Sequence, residues 1–278
     1  MKIIRTATGI RRTLAGARGH DRIALVPTMG CLHEGHLSLI RQARRLADIV
    51  VVSIYVNPLQ FGPGEDLDRY PRTFDKDRAA CETGGVDFIF HPRNLYPVGG
   101  PKLTLRIRQI GEILCGASRP GHFDGVATVV NILFNIVQPD IAVFGEKDYQ
   151  QLVIIRRMVA DLAMPVEIIS GKTVREADGL AMSSRNRYLA PEDRRRAAAL
   201  YASLQLMAEH AQKGEKNCVK LLKTGENHLR AHGIEPEYLE IRQAGTLAPI
   251  RRLGEKPCRA FVAARLGPAR LIDNIKLG

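Results

Sequence analysis

At 278 residues, 45% of them hydrophobic, with 41 lysines and arginines against 29 aspartates and glutamates and a formal charge of +12, the chain can bury one large core or two modest ones. Its longest apolar runs, such as residues 49–56, fall far short of the roughly 20 residues a membrane helix needs, so no membrane partner is expected. The first residues are basic but lack the unbroken apolar stretch of a secretory signal, which points to a cytoplasmic location, and five scattered cysteines without a CxxC pair support neither a disulfide framework nor a zinc site.

Strand and helix patterns alternate along the chain. Residues 22–28, RIALVPT, read as a strand, and residues 35–47 as a helix with Leu39, Ile40, Ala43, Leu46 and Ala47 spaced to face a core. The continuous apolar run over 48–56 suits a strand buried on both faces. A helix over 74–83, a strand over 86–90, a long helix over 121–137, a strand over 140–144, a helix over 149–162 and a strand over 165–170 follow. This repetition predicts an α/β fold, a Rossmann-like parallel sheet with helices on both faces. Near residue 175 the pattern changes. Helices over 191–212 and 216–233 precede strands at 237–243 and 260–267, which predicts a smaller α+β C-terminal domain over 176–278 after a first domain of 1–175.

In open parallel sheets ligands bind where strands end and helices begin. After the first of these strands comes TMGCLHEGH, residues 28–36. Its glycines allow close backbone approach, the helix start offers N–H groups to phosphate, and His33 and His36 supply donors for charge on phosphate oxygens. Two metal ligands are a weaker reading, because no third ligand lies nearby. Cys31 reads as a small residue packed in the turn. Beyond the next strand, Asn57 and Gln60 in VNPLQF can bond a hydroxyl or carboxylate without bringing charge, and the Gly- and Pro-containing segment 61–71 is a candidate lid. In GEKDYQQL, residues 145–152, Lys147 can meet phosphate while Asp148 or Gln151 can hold a ribose or substrate hydroxyl. READGLAMSSRNRYL, residues 175–189, sets Ser183 and Ser184 beside Arg185, a set suited to gripping a triphosphate. GKT at 171–173 is not the end of a P-loop, since the earlier glycine it requires would fall at Val166. The basic excess is spread over both halves, which fits anionic small molecules and does not call for nucleic acid.

HxGH near the start and Met-Ser-Ser-Arg after the 165–170 strand resemble the paired signature of the nucleotidylyltransferase and class I aminoacyl-tRNA synthetase superfamily. More finely, PTMGCLHEGH, VSIYVNPLQF, YPRTFDKD, FGEKDYQQL and READGLAMSSRNRYL, in that order over most of residues 22–190, resemble the pantothenate synthetase family. The resemblance implies a ligase that condenses pantoate with β-alanine through a pantoyl adenylate, consuming ATP with Mg²⁺ and releasing AMP and pyrophosphate, and it implies a homodimer. The nucleotide site it implies comprises Met29, Gly30, Cys31, Leu32, His33, Glu34, Gly35 and His36, then Gly145, Glu146, Lys147 and Asp148, then Val174, and finally Met182, Ser183, Ser184 and Arg185. His36, His33, Lys147 and Arg185 would carry catalysis. Gln60 and Gln151, with Asn57, would hold substrate, and Asp75 and Asp77 are the candidates for the metal side. Two rivals remain: transfer of a nucleotide to a phosphorylated alcohol, and RNA binding through the +12 charge.

Overall fold

The computed structural model describes residues 1–254 and 256–277. The chain divides into two compact units, Met1–Glu146 with Gln151–Lys172, and Lys147–Gln150 with Thr173–Gly278. The division thus falls a few residues before the expected 175/176, and the short piece around Lys147 belongs to the second unit.

The first unit is built on six parallel strands. In chain order these are β1 (Lys2–Ile4), β2 (Ile23–Thr28), β3 (Ile49–Ile54), β4 (Phe88–Phe90), β5 (Ile141–Gly145) and β6 (Glu167–Gly171), arranged in space as β1-β4-β3-β2-β5-β6. Helices α1 (Ala7–Leu14), α2 (Glu34–Leu46), α3 (Phe74–Thr83), the short α4 (Cys115–Ser118), α5 (His122–Val137) and α6 (Tyr149–Asp161) connect or flank them. On β2, Ala24 and Val26 join the cluster formed by Leu39, Ile40 and Ala43 of α2, while Leu25 between them is equally buried. Both faces of the sheet are therefore covered, which is why β3 reads as an unbroken Val/Ile run. The short strand β1 and helix α1 were not foreseen.

In the second unit, helices α7 (Pro191–Gln212) and α8 (Cys218–Ala231) pack on an antiparallel sheet of β7 (Pro236–Gln243), β8 (Cys258–Leu266) and β9 (Ala269–Leu277). Leu200, Leu204 and Met207 of α7 and Leu221 and Leu229 of α8 meet Ile241, Ala260, Val262 and Ala264 of the sheet. Pro191 opens α7 at its first turn, where a missing N–H costs nothing, and Asn217 caps α8 by accepting from the N–H groups of Val219 and Lys220. Strand β9 lies beyond the strands expected from sequence.

Candidate active site

Strand β2 lies between β3 and β5, and the chain leaves it on both sides. Loops at the carboxyl ends of strands part at such a point and open a crevice. Beyond Thr28 two consecutive residues take left-handed conformations, Gly30 with φ 81° and Cys31 with φ 53°. The turn is held by Asp77 of α3, which is 2% exposed. Its Oδ2 accepts from the Cys31 N–H at 3.0 Å and its Oδ1 from the Leu32 N–H at 2.8 Å, while the Thr73 hydroxyl donates to both oxygens. A Cβ on Gly30 would stand 2.9 Å from Asp77 Oδ2, so glycine is needed both for its φ and for the carboxylate's approach.

This corrects the expectation for the acidic pair. Asp77 spends its lone pairs on the turn, and Asp75 is exposed in the first turn of α3, so the two do not fit a Mg²⁺ site. Among the described residues no group of three or more His, Cys, Asp or Glu side chains gathers as a metal site. Asp77→Ala should remove about 3 kcal/mol or more of stability, because it strands two N–H donors that had a charged acceptor, and Asp77→Asn should recover part of that. Urea unfolding of the two variants checks this; equal stability of Asp77→Ala and wild type would show the carboxylate to be dispensable. Nearby, the Cys81 thiol is pushed up to about 12, by burial first and the Asp77 charge second, and is inert at neutral pH.

Helix α2 begins with the two histidines. His33 is its N-cap, in extended conformation (φ −137°, ψ 176°), and its ring accepts from the Gly35 N–H at 3.1 Å. In return, the His36 ring accepts from the His33 N–H at 3.3 Å. This is the reciprocal arrangement usually built from Ser or Thr with Glu, here made from two imidazoles. Both accepting atoms are Nδ1, so the bonding assigns each ring the neutral tautomer with its proton on Nε2. The ring centroids lie 4.1 Å apart. The cap therefore turns both histidines into Nε2–H donors beside a helix N-terminus, a combination that suits anionic oxygen.

At the end of β3, Asn57 is 1% exposed and fully occupied. Its Oδ1 accepts from the Tyr96 hydroxyl at 2.6 Å and the Leu59 N–H at 3.3 Å, and its Nδ2 donates to Gly125 O at 3.1 Å and to Gln60 Oε1 at 3.0 Å. Asn57, expected among the residues that hold substrate, instead aims Gln60. The Gln60 amide nitrogen points at the Met29 sulfur, 3.2 Å away, which joins two of the expected residues.

Sequence reasoning missed the other half of this support. The Gln60 carbonyl accepts from Arg119 at 3.1 Å and is bonded to His122 Nδ1 at 2.8 Å, and Arg119 also pairs with Glu65 and lies 3.0 Å from His122 Nε2. Burial pushes the Glu65 carboxyl up, but the hydrogen bond and charge of Arg119, helped by the Gly62 N–H and His122, outweigh it and hold the group below its ordinary range. The segment 61–71, expected as a lid, is thus tethered through Glu65, with Tyr70 buried edge-on against Phe61. The signal was present in RPGHFDG, residues 119–125, where Arg119, His122 and Asp124 cluster at the start of an apolar helix.

In the second unit, Lys147 carries a half-buried side chain with Asp148 3.7 Å from its ammonium. Val174 and Met182 face each other across a tight loop, Met182 N–H donating to Val174 O at 3.0 Å, and Arg175 bridges to Ala181. Glu176 and Asp178 of that loop both pair with Arg194 of α7, and Asn186 donates to Glu176 at 2.7 Å. Ser183 Oγ accepts from the Arg185 N–H at 3.3 Å, and Ser184 is buried. The loop so braced carries Val174 and Met182 to Arg185 together. Gln151 sits half-buried in the first turn of α6, in the first unit.

A six-stranded parallel sheet with helices on both faces and polar motifs at its strand ends defines a Rossmann-like α/β protein. Residues 2–276 match the pantoate-β-alanine ligase family, and the chain belongs to that family of enzymes. It is 51% identical to the pantothenate synthetase of Pseudomonas putida, over all of this chain and 98% of the relative. The crystal structure of pantothenate synthetase from Thermus thermophilus superposes with a TM-score of 0.93 at 47% identity, covering 99% of both chains. Pantoate-β-alanine ligase from Francisella tularensis, solved in complex with β-γ ATP and β-alanine, gives a TM-score of 0.83 at 34% identity, over 99% of this chain and 97% of that one. Among the described residues no helix is long and apolar enough to cross a membrane.

Proposed function

We propose that this chain joins pantoate to β-alanine at the expense of ATP, by way of a pantoyl adenylate, with AMP and pyrophosphate as the other products. The observation that carries the reading is the pair of imidazoles at the start of α2 whose Nδ1 atoms accept backbone N–H groups, which leaves Nε2 as the donor of each neutral ring. Support also comes from the Francisella relative, crystallised with an ATP compound and β-alanine.

A carboxylate is a poor acyl donor because oxide is a poor leaving group. In the first step a pantoate carboxylate oxygen attacks the α-phosphorus of ATP, forming a P–O bond as the bond to pyrophosphate breaks. His33 and His36 donate to phosphate oxygens whose charge grows, as do the N–H groups at the α2 N-terminus, and Lys147 and Arg185 add positive charge. Met29–His36, Gly145–Asp148, Val174 and Met182–Arg185 are the nucleotide-contacting residues of this reading. Gln60, held by Asn57 and by its own carbonyl, orients pantoate together with Gln151. In the second step the neutral amine of β-alanine attacks the acyl carbon, and the tetrahedral intermediate collapses to the amide. AMP leaves with the former carboxylate oxygen, and the ammonium proton passes to solvent. The same reading includes a homodimer in the cytoplasm, which light scattering checks through the mass in solution.

Enzyme given ATP and pantoate without β-alanine should release about one pyrophosphate per active site and then stall, since adenylate chemistry is complete and turnover awaits the amine. With ¹⁸O in the pantoate carboxylate, label should appear in AMP once β-alanine is added. Unlabelled AMP, or pyrophosphate release strictly dependent on β-alanine, would rule the adenylate out. Turnover with a phosphorylated alcohol in place of pantoate would favour nucleotide transfer.

A further inference from the structure

Strand β9, ARLIDNIKL, places two polar side chains next to each other at its centre, away from the more exposed Arg270 and Lys276. Asp273 is 4% exposed and Asn274 3% exposed. Alternation along a strand sends neighbours to opposite faces, so one of two adjacent residues can ordinarily meet water. Here both are buried, and both are bonded. Asn274 Nδ2 donates to the carbonyl oxygen of Lys147 at 3.0 Å, across 127 residues of sequence. Asn274 Oδ1 accepts from the Arg259 guanidinium, and Arg259 lies over the ring of Tyr149, 3.9 Å from its centroid. Tyr149 packs in turn against Phe261 of β8. Asp273 accepts two bonds from Arg175, at 2.5 and 3.0 Å, and a third from the Asn274 N–H at 2.7 Å. Arg175 also donates to Gly179 O at 3.0 Å and stacks 3.6 Å from the centre of Tyr201.

The two neighbours on β9 therefore reach the two places where the proposed reaction needs positive charge: the backbone of Lys147 and the base of the loop that bears Arg185. A carboxamide is the group type that accepts from a guanidinium with one end and donates to a carbonyl with the other. A bond to the Lys147 carbonyl fixes where its main chain stands and leaves the ammonium out of that contact.

We propose that Asn274 is a positioning residue for Lys147, setting the lysine against the anionic triphosphate, with Asp273 bracing the adjoining loop through Arg175. This rests on the reading of Lys147 as a phosphate-contacting group. Asn274 touches no substrate and acts through the lysine.

The experiment is a double-mutant cycle on pantoate-dependent pyrophosphate release, using Asn274→Ala, Lys147→Ala and the double variant, with ATP and pantoate titrated separately. Asn274→Ala should lower kcat/KM for ATP by a factor of up to about 100 while KM for pantoate stays within about twofold, as misplacement of a reacting partner predicts. In the Lys147→Ala background the same change should have no further effect. Asn274→Asp keeps the volume and the acceptor for Arg259 but removes the donor to Lys147 O, so it should reproduce the ATP defect even if the alanine variant folds poorly. Wild-type kcat/KM for ATP in Asn274→Asp, or an equal loss in both lysine backgrounds, overturns the assignment. A crippled Lys147→Ala beside a normal Asn274→Ala overturns it alone, whereas near-normal turnover of Lys147→Ala removes the lysine reading and the assignment together.

Discussion

His36→Ala should slow adenylate formation at least about 100-fold, the low end for loss of one preorganised donor, and should also cost about 1 kcal/mol of stability as the reciprocal cap is broken. The cap and the proposed chemistry sit on opposite sides of one ring. Nδ1 accepts from the His33 N–H, which secures the start of α2, and that bond leaves the proton on Nε2. Asparagine separates the two, because its Oδ1 stands about where Nδ1 does and nothing replaces the distal donor. His36→Asn should therefore melt close to wild type and still adenylate about 100-fold more slowly. Single-turnover pyrophosphate release beside thermal unfolding reads both. Near-normal adenylation by a folded His36→Asn would remove His36 from the chemistry.

Gly125→Ala should be nearly as damaging, although residue 125 is assigned no contact with substrate. A Cβ there would stand 2.2 Å from Leu59 O, 2.4 Å from its carbonyl carbon and 2.7 Å from Gln60 N. All three are backbone atoms, so no rotamer change relieves the overlap, and the 58–60 turn must move off α5. Asn57 Nδ2 donates to Gly125 O and to Gln60 Oε1, so the displacement reaches the glutamine proposed to hold pantoate. We expect kcat/KM for pantoate to fall about 100-fold, in line with an ångström-scale misplacement, along with about 1–3 kcal/mol of stability from overpacking. Nucleotide affinity measured without pantoate should change little. Equal losses for ATP and pantoate would mean a general disruption of the unit and would count against a local role for the turn.

The first unit was legible in sequence where burial acts on both faces of a strand. The run Ile49–Ile54 has one physical reading, and so does the helix start within GCLHEG, because apolar spacing and N–H geometry agree there. Strand β1 escaped because three residues at a sheet edge carry no period. Strand β9 escaped for a different reason. Asp273 and Asn274 break the apolar alternation at its centre, and their burial is made tolerable by Arg175, Arg259 and Lys147 O, partners scattered through the sequence. The same limit governed the site. His33 and His36 could be paired by spacing, since their bonds are local. Asp77 could not be matched to Cys31 and Leu32, 46 and 45 residues away, so its carboxylate looked available when it was already engaged. Asn57 likewise looked like a ligand because the Tyr96 and Gly125 partners that occupy it come from distant segments.

The attachment of Lys147–Gln150 to the second unit has a consequence in time. A ribosome adds roughly 5–20 residues per second, and Asn274, whose amide meets the Lys147 carbonyl, follows it by 127 residues. Strands β2, β3 and β5 can pair while that stretch is still being made, but for roughly 6–25 seconds the nascent lysine has no β9 to hold its backbone. Maturation of the proposed phosphate-contacting set is thereby deferred until nearly all of the described chain exists. A half-made polypeptide carries the strands of the parallel sheet before it carries the side chain that meets the Lys147 backbone.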